Sequence, residues 1–498
     1  MAVVSELSIS RRFERRLVRF QARLEANTGD RWIPLLATVA LAGLMIQASW
    51  ARIESLEAMP SLAGYSQSAW LLSEGLMPKA SLFGTNVHLL ELHWSFIMYP
   101  LGALATIFPA AKTLMLVQAV ALSLTVVPLW LLARQVANLR VGAAGALIAA
   151  YALHPATHTL GTLDFHPEAL AVPAIVAMAY FGSTKRWSWY WIAIVFALAV
   201  RADLGLAIGL WGFVVLGARE RTVAVWTLGV GLVWSLGLLL VVHPVVADAS
   251  SPRSPFATDT ASLGDLVLSS ARDPFGRFGD LIDRQNVLLA VTLLAPLIFL
   301  PLLSLRMLAP ALPLTALYMI AGGPIETTTA ERSAMLLAFL MISATFALNR
   351  LGKMGVDRVF LDGRVLSTLS AAAILLFVSS SPISPYEQPW NWSERDRVDE
   401  SVLAALDQLP PDTVIRSSPS ALVHLSSRPW LFSIDGDREP SAAQAGFPGF
   451  TRAVLIVDRE IPERSEQQRH DFDRGMRTQG FSILFEDAGT GVTLYSRR

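Results

Sequence analysis

The sequence predicts an α-helical polytopic membrane protein of about eleven transmembrane helices, followed by a small α/β domain outside the membrane. Of its 498 residues, 53% are hydrophobic and only 16% are charged, whereas an average soluble protein has about 25% charged residues. Apolar runs long enough to cross a bilayer recur up to residue 380. The remaining tail is polar and alternates strand-like with helix-like segments.

Charge and cysteine content exclude several classes of protein. The 40 basic and 40 acidic residues balance to a formal net charge of zero, so binding to nucleic acid through bulk positive charge is not expected. The chain contains no cysteine, which excludes a disulfide framework, a thiolate metal site and a cysteine nucleophile. The hydrophobic composition also excludes a disordered chain and an ordinary soluble enzyme.

Residues 1–31 form a basic, arginine-rich segment, and an apolar run extends from Trp32 to Trp50. The two tryptophans would lie about 27 Å apart along a helix, which matches a hydrocarbon core with an aromatic side chain at each interface. A cleaved signal peptide is the alternative interpretation. The full length of the run, and the lack of a small-residue cleavage site directly after it, favour a retained first helix.

The transmembrane domain is predicted over residues 32–381, with outer loops at 53–112 and 248–287. Whether the segment 93–110 crosses the membrane decides the predicted orientation of the whole transmembrane domain. If it does not cross, the short basic loops all lie on the side of the basic N-terminus, as the positive-inside rule requires. We therefore predict a cytoplasmic-membrane protein with its N-terminus inside and an interfacial helix at 93–110. The further apolar runs are 113–134, 141–156, 168–184, 187–201, 204–218, 223–245, 288–304, 306–322, 332–348 and 364–380.

The tail, residues 382–498, is predicted to be an extracytoplasmic α/β domain. A Pro/Ser-rich joint at 379–389 precedes it, and the run AVLIVD at 453–458 has the composition of a buried strand. The other predicted strands are 414–418, 431–434, 480–486 and 492–496, and the predicted helices are 395–408, 420–426 and 465–478. Strands that alternate with helices indicate an α/β arrangement.

Ionisable groups are costly at membrane depth and are candidates for function there. The densest cluster is HPATHTLGTLDFHPE, residues 154–168. His154 and His158 have the spacing of one helix face, and Asp164 and His166 would point the same way in an extended segment. Three interpretations remain open. They are a metal site in which these four side chains hold a divalent cation, a substrate-binding loop, and a turn with hydrogen-bonded histidines.

Other polar candidates also fall at predicted outer ends of spans. Arg201 and Asp203 lie between two apolar runs, where the arginine either grips a phosphate or forms an ordinary ion pair in a loop. The same two interpretations apply to Arg332. Glu91 and His93 flank one leucine in the first outer loop, and such a pair is either a general base with its partner or part of a hydrated loop.

The stretches GYSQSAWLLSEG (64–75) and LHWSFIMYPLGAL (92–104) resemble a bacterial family of predicted membrane proteins, domain of unknown function 2079. The block LDFHPEALAVP (163–173) is similar to the family's Asp-Phe-His-Pro motif. RADLGL (201–206) resembles its Lys-Glu-Asp block, with Arg201 in place of Lys and Asp203 retained. The residues that match the first-loop pattern are Gln67, Trp70, Gly75, His93 and Ser95.

This family is distantly similar to the type C glycosyltransferases, polytopic enzymes that take sugars from polyprenyl-phosphate donors on the outer side of the membrane. The resemblance implies a catalytic acid in the first outer loop. At the matching position this chain has Ser61 where the family has Asp. Serine cannot act as a carboxylate base, so either Glu54, Glu57 or Glu91 substitutes for the Asp, or the chemistry differs, or activity is lost.

The resulting hypothesis is a glycosyltransferase-like membrane protein that acts with a polyprenyl-phosphate-linked sugar in assembly of the cell envelope. Its base would be Glu91 or Asp164, and Arg201 or Arg332, with a divalent cation, would stabilise the leaving phosphate. The other substrate-binding candidates are Gln67, Trp70, His93, His166 and Asp203. The C-terminal domain would lie above this site and bind the acceptor. A transporter or flippase and a non-catalytic scaffold for envelope assembly are the alternatives.

Overall fold

The computed structural model describes residues 25, 27–84, 87–92, 94–238, 272, 284–321, 325–354, 358–434, 449–463 and 465–497. Within these ranges, residues 27–28, 92, 317–321, 325–332, 354 and 466 are described by their backbone alone. His93 and most of the predicted second outer loop, 248–287, lie outside the described residues.

The first helix, α1, runs from Asn27 to Glu54. Asp30 lies in its first turn and Arg52 in its last, so each side chain complements the partial charge at its end of the helix dipole. Its 28 residues extend about 42 Å, which is more than the thickness of a hydrocarbon core. Helix α1 is therefore long enough to cross a membrane.

Three short helices follow α1 in the first loop: α2 (Pro60–Ser73), α3 (Leu89–Leu92) and α4 (Met98–Leu104). Helix α4 lies within the segment 93–110, which is predicted not to cross the membrane. The seven residues of α4 form a helix only about 10 Å long. This helix is too short to cross a bilayer, in agreement with the prediction that 93–110 is not a span.

Apolar helices then form a bundle that shares one continuous core. They are α5 (Ala110–Leu124), α6 (Val126–Leu131), α7 (Val141–Ala152), α8 (Pro155–Thr162), α9 (Ala171–Ser183), α10 (Trp187–Val200), α11 (Leu204–Trp211), α12 (Arg221–Gly237), α13 (Arg284–Leu294), α14 (Leu305–Leu308), α15 (Leu312–Ala321), α16 (Ile325–Leu351) and α17 (Gly363–Ser380). A two-stranded hairpin of β1 (Lys353–Met354) and β2 (Val359–Phe360) joins α16 to α17.

Four continuous helical segments in the described part of the chain are long and apolar enough to cross a membrane: 29–54, 110–136, 333–351 and 363–387. A fifth results if the pair 284–297 and 300–316, bent by 87°, is one broken span. Four shorter apolar helices lie at 141–152, 167–183, 187–200 and 204–216. The total of eleven spans stays a prediction.

The predicted inner loops meet at one end of the bundle. Arg134 Nε donates to Asp30 Oδ1 (2.7 Å), and Asn349 Nδ2 donates to the carbonyl of Ala137 (2.8 Å). These bonds join the start of α1, the connection after α6 and the end of α16. The other links at this end are Arg350 to the Leu303 carbonyl, Arg306 to the carbonyls of Val214 and Val215, and Lys185 to Glu220.

The first loop and the C-terminal tail meet at the opposite end. Lys112 Nζ pairs with Glu54 Oε1 (2.8 Å), and Arg395 Nε donates to the Glu54 carbonyl (2.8 Å). Because Asp30 and Glu54 are at the two ends of α1, the N-terminal turn and the tail lie at opposite ends of the bundle. This placement is compatible with an odd number of crossings, such as the predicted eleven.

Topology reporters test which end faces the cytoplasm. Fusions after Ala137, Lys185 and Lys353 are expected to give cytoplasmic signals, because basic loops are retained inside. A fusion after Gln388, at the other end, serves as the matched control and is expected to give an external signal. An external signal at Lys353 would contradict the predicted orientation.

The tail contains a five-stranded mixed sheet in the order β4-β3-β5-β7-β6. Its strands are β3 (Ile415–Ser417), β4 (Leu431–Ser433), β5 (Ala453–Val457), β6 (Ser482–Asp487) and β7 (Val492–Ser496), and its helices are α18 (Arg397–Leu406), α19 (Leu422–Leu425) and α20 (Glu466–Thr478). Strand β5 is buried along its whole length, which explains why its apolar run is the clearest strand signal in the sequence. Each element agrees with a predicted one to within a few residues.

Candidate functional site

The segment 154–168 is held in place by a glutamine from α5. Gln118 Nε2 donates to the carbonyls of Leu160 (2.6 Å) and Asp164 (2.8 Å), and its Oε1 accepts from the His166 N–H (2.7 Å). Gln118 has no exposed surface. Because buried polar groups are costly when unpaired, these three bonds fix the turn that carries Asp164 and His166.

Asp164 anchors the first-loop helix α2. Its Oδ2 accepts from the Ser61 N–H (3.0 Å), and its Oδ1 accepts from the N–H groups of Leu62 (2.7 Å) and Phe165 (2.7 Å). The residue before α2 is Met59, whose side chain cannot cap the helix, so Asp164 supplies the missing cap from a distant part of the chain. A carboxylate therefore lies beside Ser61, although the sequence has no acid at that position.

Burial raises the pKa of the Asp164 carboxyl, and this effect is opposed by the His166 ring and by the three N–H groups that it accepts. Asp164 is partly exposed, whereas the neighbouring His166 is 8% exposed. The carboxylate can thus act as a proton acceptor at the edge of α2. The acids that were expected to replace the missing Asp have other partners, since Glu54 pairs with Lys112 and Glu57 with Arg52.

Three of the four residues in the predicted metal site make side-chain hydrogen bonds within the fold, and the metal site itself stays a prediction. His154 Nδ1 caps α8 by accepting from the Ala156 N–H (3.1 Å), and its Nε2 lies 3.1 Å from the Leu293 carbonyl. His158 Nδ1 bonds to Ser381 Oγ (2.8 Å). The two histidines thus serve hydrogen bonds between helices, while Asp164 caps α2. In the described part of the chain, groups of three or more His, Asp or Glu placed to hold a metal ion are absent.

A buried charge cluster forms where α10 ends and α11 begins. Arg201 donates through Nε to Asp203 Oδ2 (2.8 Å) and through one terminal nitrogen to Glu168. The three residues are between 3% and 7% exposed. One guanidinium between two carboxylates gives these three side chains a formal charge of −1. The bond from Arg201 to Glu168 also links the 163–168 turn to the 201–203 turn. Arg201 is thus engaged by carboxylates in a buried cluster, and not in the solvated loop ion pair that the sequence suggested.

The first loop lies against this cluster. The Ile97 N–H donates to the Ala199 carbonyl (2.9 Å), and Trp94, 2% exposed, packs with Ala202 and Leu238. Trp94 has a left-handed backbone (φ 57°), which turns the chain toward α4. The loop therefore places its residues 94–98 beside Arg201.

The other sequence candidates in the first loop have structural partners. Glu91 is 3% exposed, and its Oε1 accepts from the His88 N–H at the start of α3 (2.9 Å). Gln67 is fully buried. Its Nε2 donates to Ser81 Oγ (3.0 Å) and to the carbonyls of Arg428 and Pro429 (3.1 and 3.3 Å), and its Oε1 accepts from the Leu82 N–H (3.3 Å).

Gln67 therefore joins the first loop to the C-terminal sheet, and in this arrangement its amide is not available to a substrate. Ser66 Oγ and Ser426 Oγ, 2.9 Å apart, belong to the same contact. Trp70 lies on the same helix and is partly exposed. His93 and the side chain of Arg332 are outside the described residues.

Sequence reasoning did not identify Gln118 or Arg52. Arg52 stacks over the Trp392 ring at 5.2 Å and lies 3.6 Å from Glu57. Its Nε is buried and makes no hydrogen bond to any described residue. A lone arginine in the last turn of a span is an ordinary sequence feature, so its position between the first loop and the tail becomes evident only in the folded chain.

An apolar groove opens between α13, α15 and α16. It has a volume of about 320 Å³, and its walls include Leu293, Leu312, Leu336 and Leu340. The groove lies at the sharp bend between the helices at 284–297 and 300–316, and both helices contribute to its walls. The carbonyl of Leu293 contacts His154, so one wall of the groove adjoins the segment that carries Asp164.

These features define a polytopic membrane protein whose first loop and terminal sheet close one end of a helical bundle. The crystal structure of ArnT from Cupriavidus metallidurans bound to undecaprenyl phosphate has a TM-score of 0.52 at 12% identity and covers 95% of this chain and 98% of that chain. The apo structure of the same ArnT has a TM-score of 0.55 at 12% identity, with coverages of 93% and 97%. This likeness concerns the fold.

Residues 52–492 match the model of a family described as predicted membrane protein (DUF2079). The chain belongs to this family, as the motifs in the first loop and the Asp-Phe-His-Pro block predicted. A comparison with curated proteins finds no match.

Proposed function

We propose that this protein is an integral-membrane glycosyltransferase that uses a lipid-phosphate-linked sugar donor on the outer side of the cytoplasmic membrane, in the assembly of envelope glycans or glycolipids. The observation that carries the proposal is the likeness in fold to ArnT bound to undecaprenyl phosphate, which extends over 95% of this chain. Most of the polyprenyl chain of such a donor is apolar and its phosphate is anionic, so a matching site needs an apolar groove that leads to a polar centre.

The apolar groove of about 320 Å³ supports the lipid part of the proposal. Its lining is almost entirely aliphatic, and a membrane-embedded apolar groove favours an isoprenoid chain over a polar solute. Its contact with His154 joins one wall to the start of α8, the helix that leads to the 163–168 turn.

The polar centre supports the chemical part of the proposal. In the proposed reaction Asp164 takes the proton of an acceptor hydroxyl, and the acceptor oxygen forms a bond to the anomeric carbon of the sugar. The bond from that carbon to the phosphate oxygen breaks, and its electron pair leaves on the polyprenyl phosphate. The raised pKa of Asp164 suits it to this role better than an ordinary aspartate.

Arg201 has a positioning role in this proposal. It holds the turn that carries Asp164 against α11 through Glu168 and Asp203. A divalent cation stays a prediction, and the described residues offer no group of three or more His, Asp or Glu side chains placed to hold it. His166, next to Asp164 in the turn, is proposed to orient the substrate, together with Trp70, His93 and Arg332.

Native mass spectrometry of the purified full chain with undecaprenyl phosphate tests the lipid part. We expect a one-to-one complex that is weakened by Leu340→Trp, since the larger ring fills the groove. Leu375→Trp is the matched control, because Leu375 is 67% exposed on α17, outside the groove. Equal binding by both variants would place the lipid elsewhere, and binding no tighter than that of undecaprenol would exclude recognition of the phosphate.

A further inference from the structure

Two exposed arginines lie at the end of the bundle where α1 begins, opposite the proposed site of transfer. Arg306 donates through Nε to the carbonyl of Val214 (3.0 Å) and through Nη2 to that of Val215 (3.2 Å). Arg350 donates through Nη1 to the Leu303 carbonyl (2.8 Å). Because Leu303 precedes Arg306 by only three residues, these bonds hold both guanidinium groups beside the same short segment.

Each guanidinium keeps N–H groups that these bonds do not use. Arginine has five such donors. With respect to the described residues, Arg306 retains both hydrogens of Nη1, and Arg350 retains those of Nε and Nη2. The bonds to backbone carbonyls therefore account for only part of each guanidinium. The remaining donors suit an anion, and a planar guanidinium matches the oxygens of a phosphate well.

The acidic side chains that are described at this end of the bundle already have partners. They are Glu25 and Asp30 with Arg134, Glu220 with Lys185, and Asp362 with the first turn of α17. Two further exposed arginines, Arg219 and Arg221, follow Val215 closely in the chain. A counter-charge for Arg306 and Arg350 is therefore expected from outside the described part of the chain.

Exposed apolar side chains border the two arginines. Leu303 and Leu305 lie on the segment that Arg350 contacts, and Phe213 directly precedes Val214. The two leucines and Phe213 are between 49% and 66% exposed, and they are not part of the lining of the apolar groove. We name these side chains, together with Arg306 and Arg350, the inner-end face. Such a face offers cationic donors next to an apolar surface, which is the complement of an anionic lipid.

We propose that the inner-end face binds one anionic phospholipid. The phosphate oxygens accept from Arg306 and Arg350, and the acyl chains lie on Phe213, Leu303 and Leu305. Charge complementarity favours an anionic head group over a zwitterionic one. Because the two arginines already join the 212–216 turn, α14 and α16, the bound lipid is expected to stabilise the packing of these elements. The inference does not rest on the proposed transferase activity, since it concerns the opposite end of the bundle.

Native mass spectrometry of the purified full chain tests the proposal with phosphatidylglycerol as the probe. We expect one retained molecule, bound about tenfold more tightly than phosphatidylcholine because the choline group neutralises the head group. Glycerophosphoglycerol, which has the same phosphate without acyl chains, is expected not to displace it. Equal binding of the two lipids, or displacement by the soluble head group, would overturn the proposal. This comparison uses the unmodified chain, so it holds whatever the stability of any variant.

Matched variants locate the binding. Arg306→Gln combined with Arg350→Gln is expected to weaken binding of phosphatidylglycerol by about tenfold. Arg31→Gln combined with Arg364→Gln removes the same charge from exposed positions at the same end and is expected to bind as the unmodified protein does. Leu340→Trp, which fills the apolar groove, is also expected to leave this affinity unchanged. Equal weakening by the two double variants would indicate diffuse attraction to basic loops, and weakening by Leu340→Trp would place the lipid in the groove. Either result would overturn the assignment to the inner-end face.

Discussion

Replacement of Arg201 by methionine is expected to destabilise the protein by about 3–5 kcal/mol, because it removes the guanidinium that bonds to two buried carboxylates. Glu168 and Asp203 are 5% and 7% exposed, so water cannot solvate them in place of the guanidinium. The expected result is a lower melting temperature of the purified protein and a smaller folded fraction in the membrane.

The triple variant Arg201→Met, Glu168→Gln, Asp203→Asn separates folding from function. Neutral groups of similar size remove the uncompensated charge, so most of the lost stability is expected to return. Sugar transfer is expected to stay absent, because the link between the 163–168 and 201–203 turns is lost. A stable triple variant with full activity would show that the charge cluster is only structural. A single Arg201→Met variant of unchanged stability would contradict the buried-pair assignment itself.

Arg134 is expected to be equally sensitive at the opposite end of the bundle. It is 1% exposed and bonds to Glu25, Asp30 and the Leu139 carbonyl. Arg134→Met leaves both acids without this partner, and a loss of several kcal/mol in unfolding free energy is expected. Arg221→Met is the control, because Arg221 is exposed and exposed charges contribute little. Similar melting temperatures for the two variants would contradict the role given to Arg134.

Much of the fold could be predicted because its signals are local. The five strands of the tail and the long helix α1 follow from runs of apolar residues whose length and period are visible in the sequence. The distribution of basic loops predicts that 93–110 is not a span. In the structure these loops meet at one end, and the helix in that segment has only seven residues.

The site was less predictable, because its bonds join residues far apart in the chain. His154 and His158 are of a residue type that binds metals and have the spacing of one helix face, yet one histidine caps α8 and the other bonds to Ser381. Gln67 belongs to a sequence motif, but its partners are residues 428 and 429 in the tail. A local pattern gives residue types and spacing, whereas tertiary contacts decide which side chain remains free to act.

The missing acid at Ser61 illustrates the same point. The sequence offers Glu54, Glu57 or Glu91, all in the first loop, as its replacement. In the folded chain the carboxylate at Ser61 comes from Asp164, 103 residues later. The Asp164 carboxylate can bond to the start of α2 because Gln118 fixes the turn that carries Asp164 and because Met59 provides no side-chain cap for this helix.

A structure of the full chain with undecaprenyl phosphate bound tests the central claim most directly. The account predicts the phosphate at the end of the bundle that holds Asp164 and Arg201, with the isoprenoid chain in the groove beside Leu293 and Leu340. A phosphate bound at the opposite end, near Arg134, or an isoprenoid chain outside this groove would contradict it.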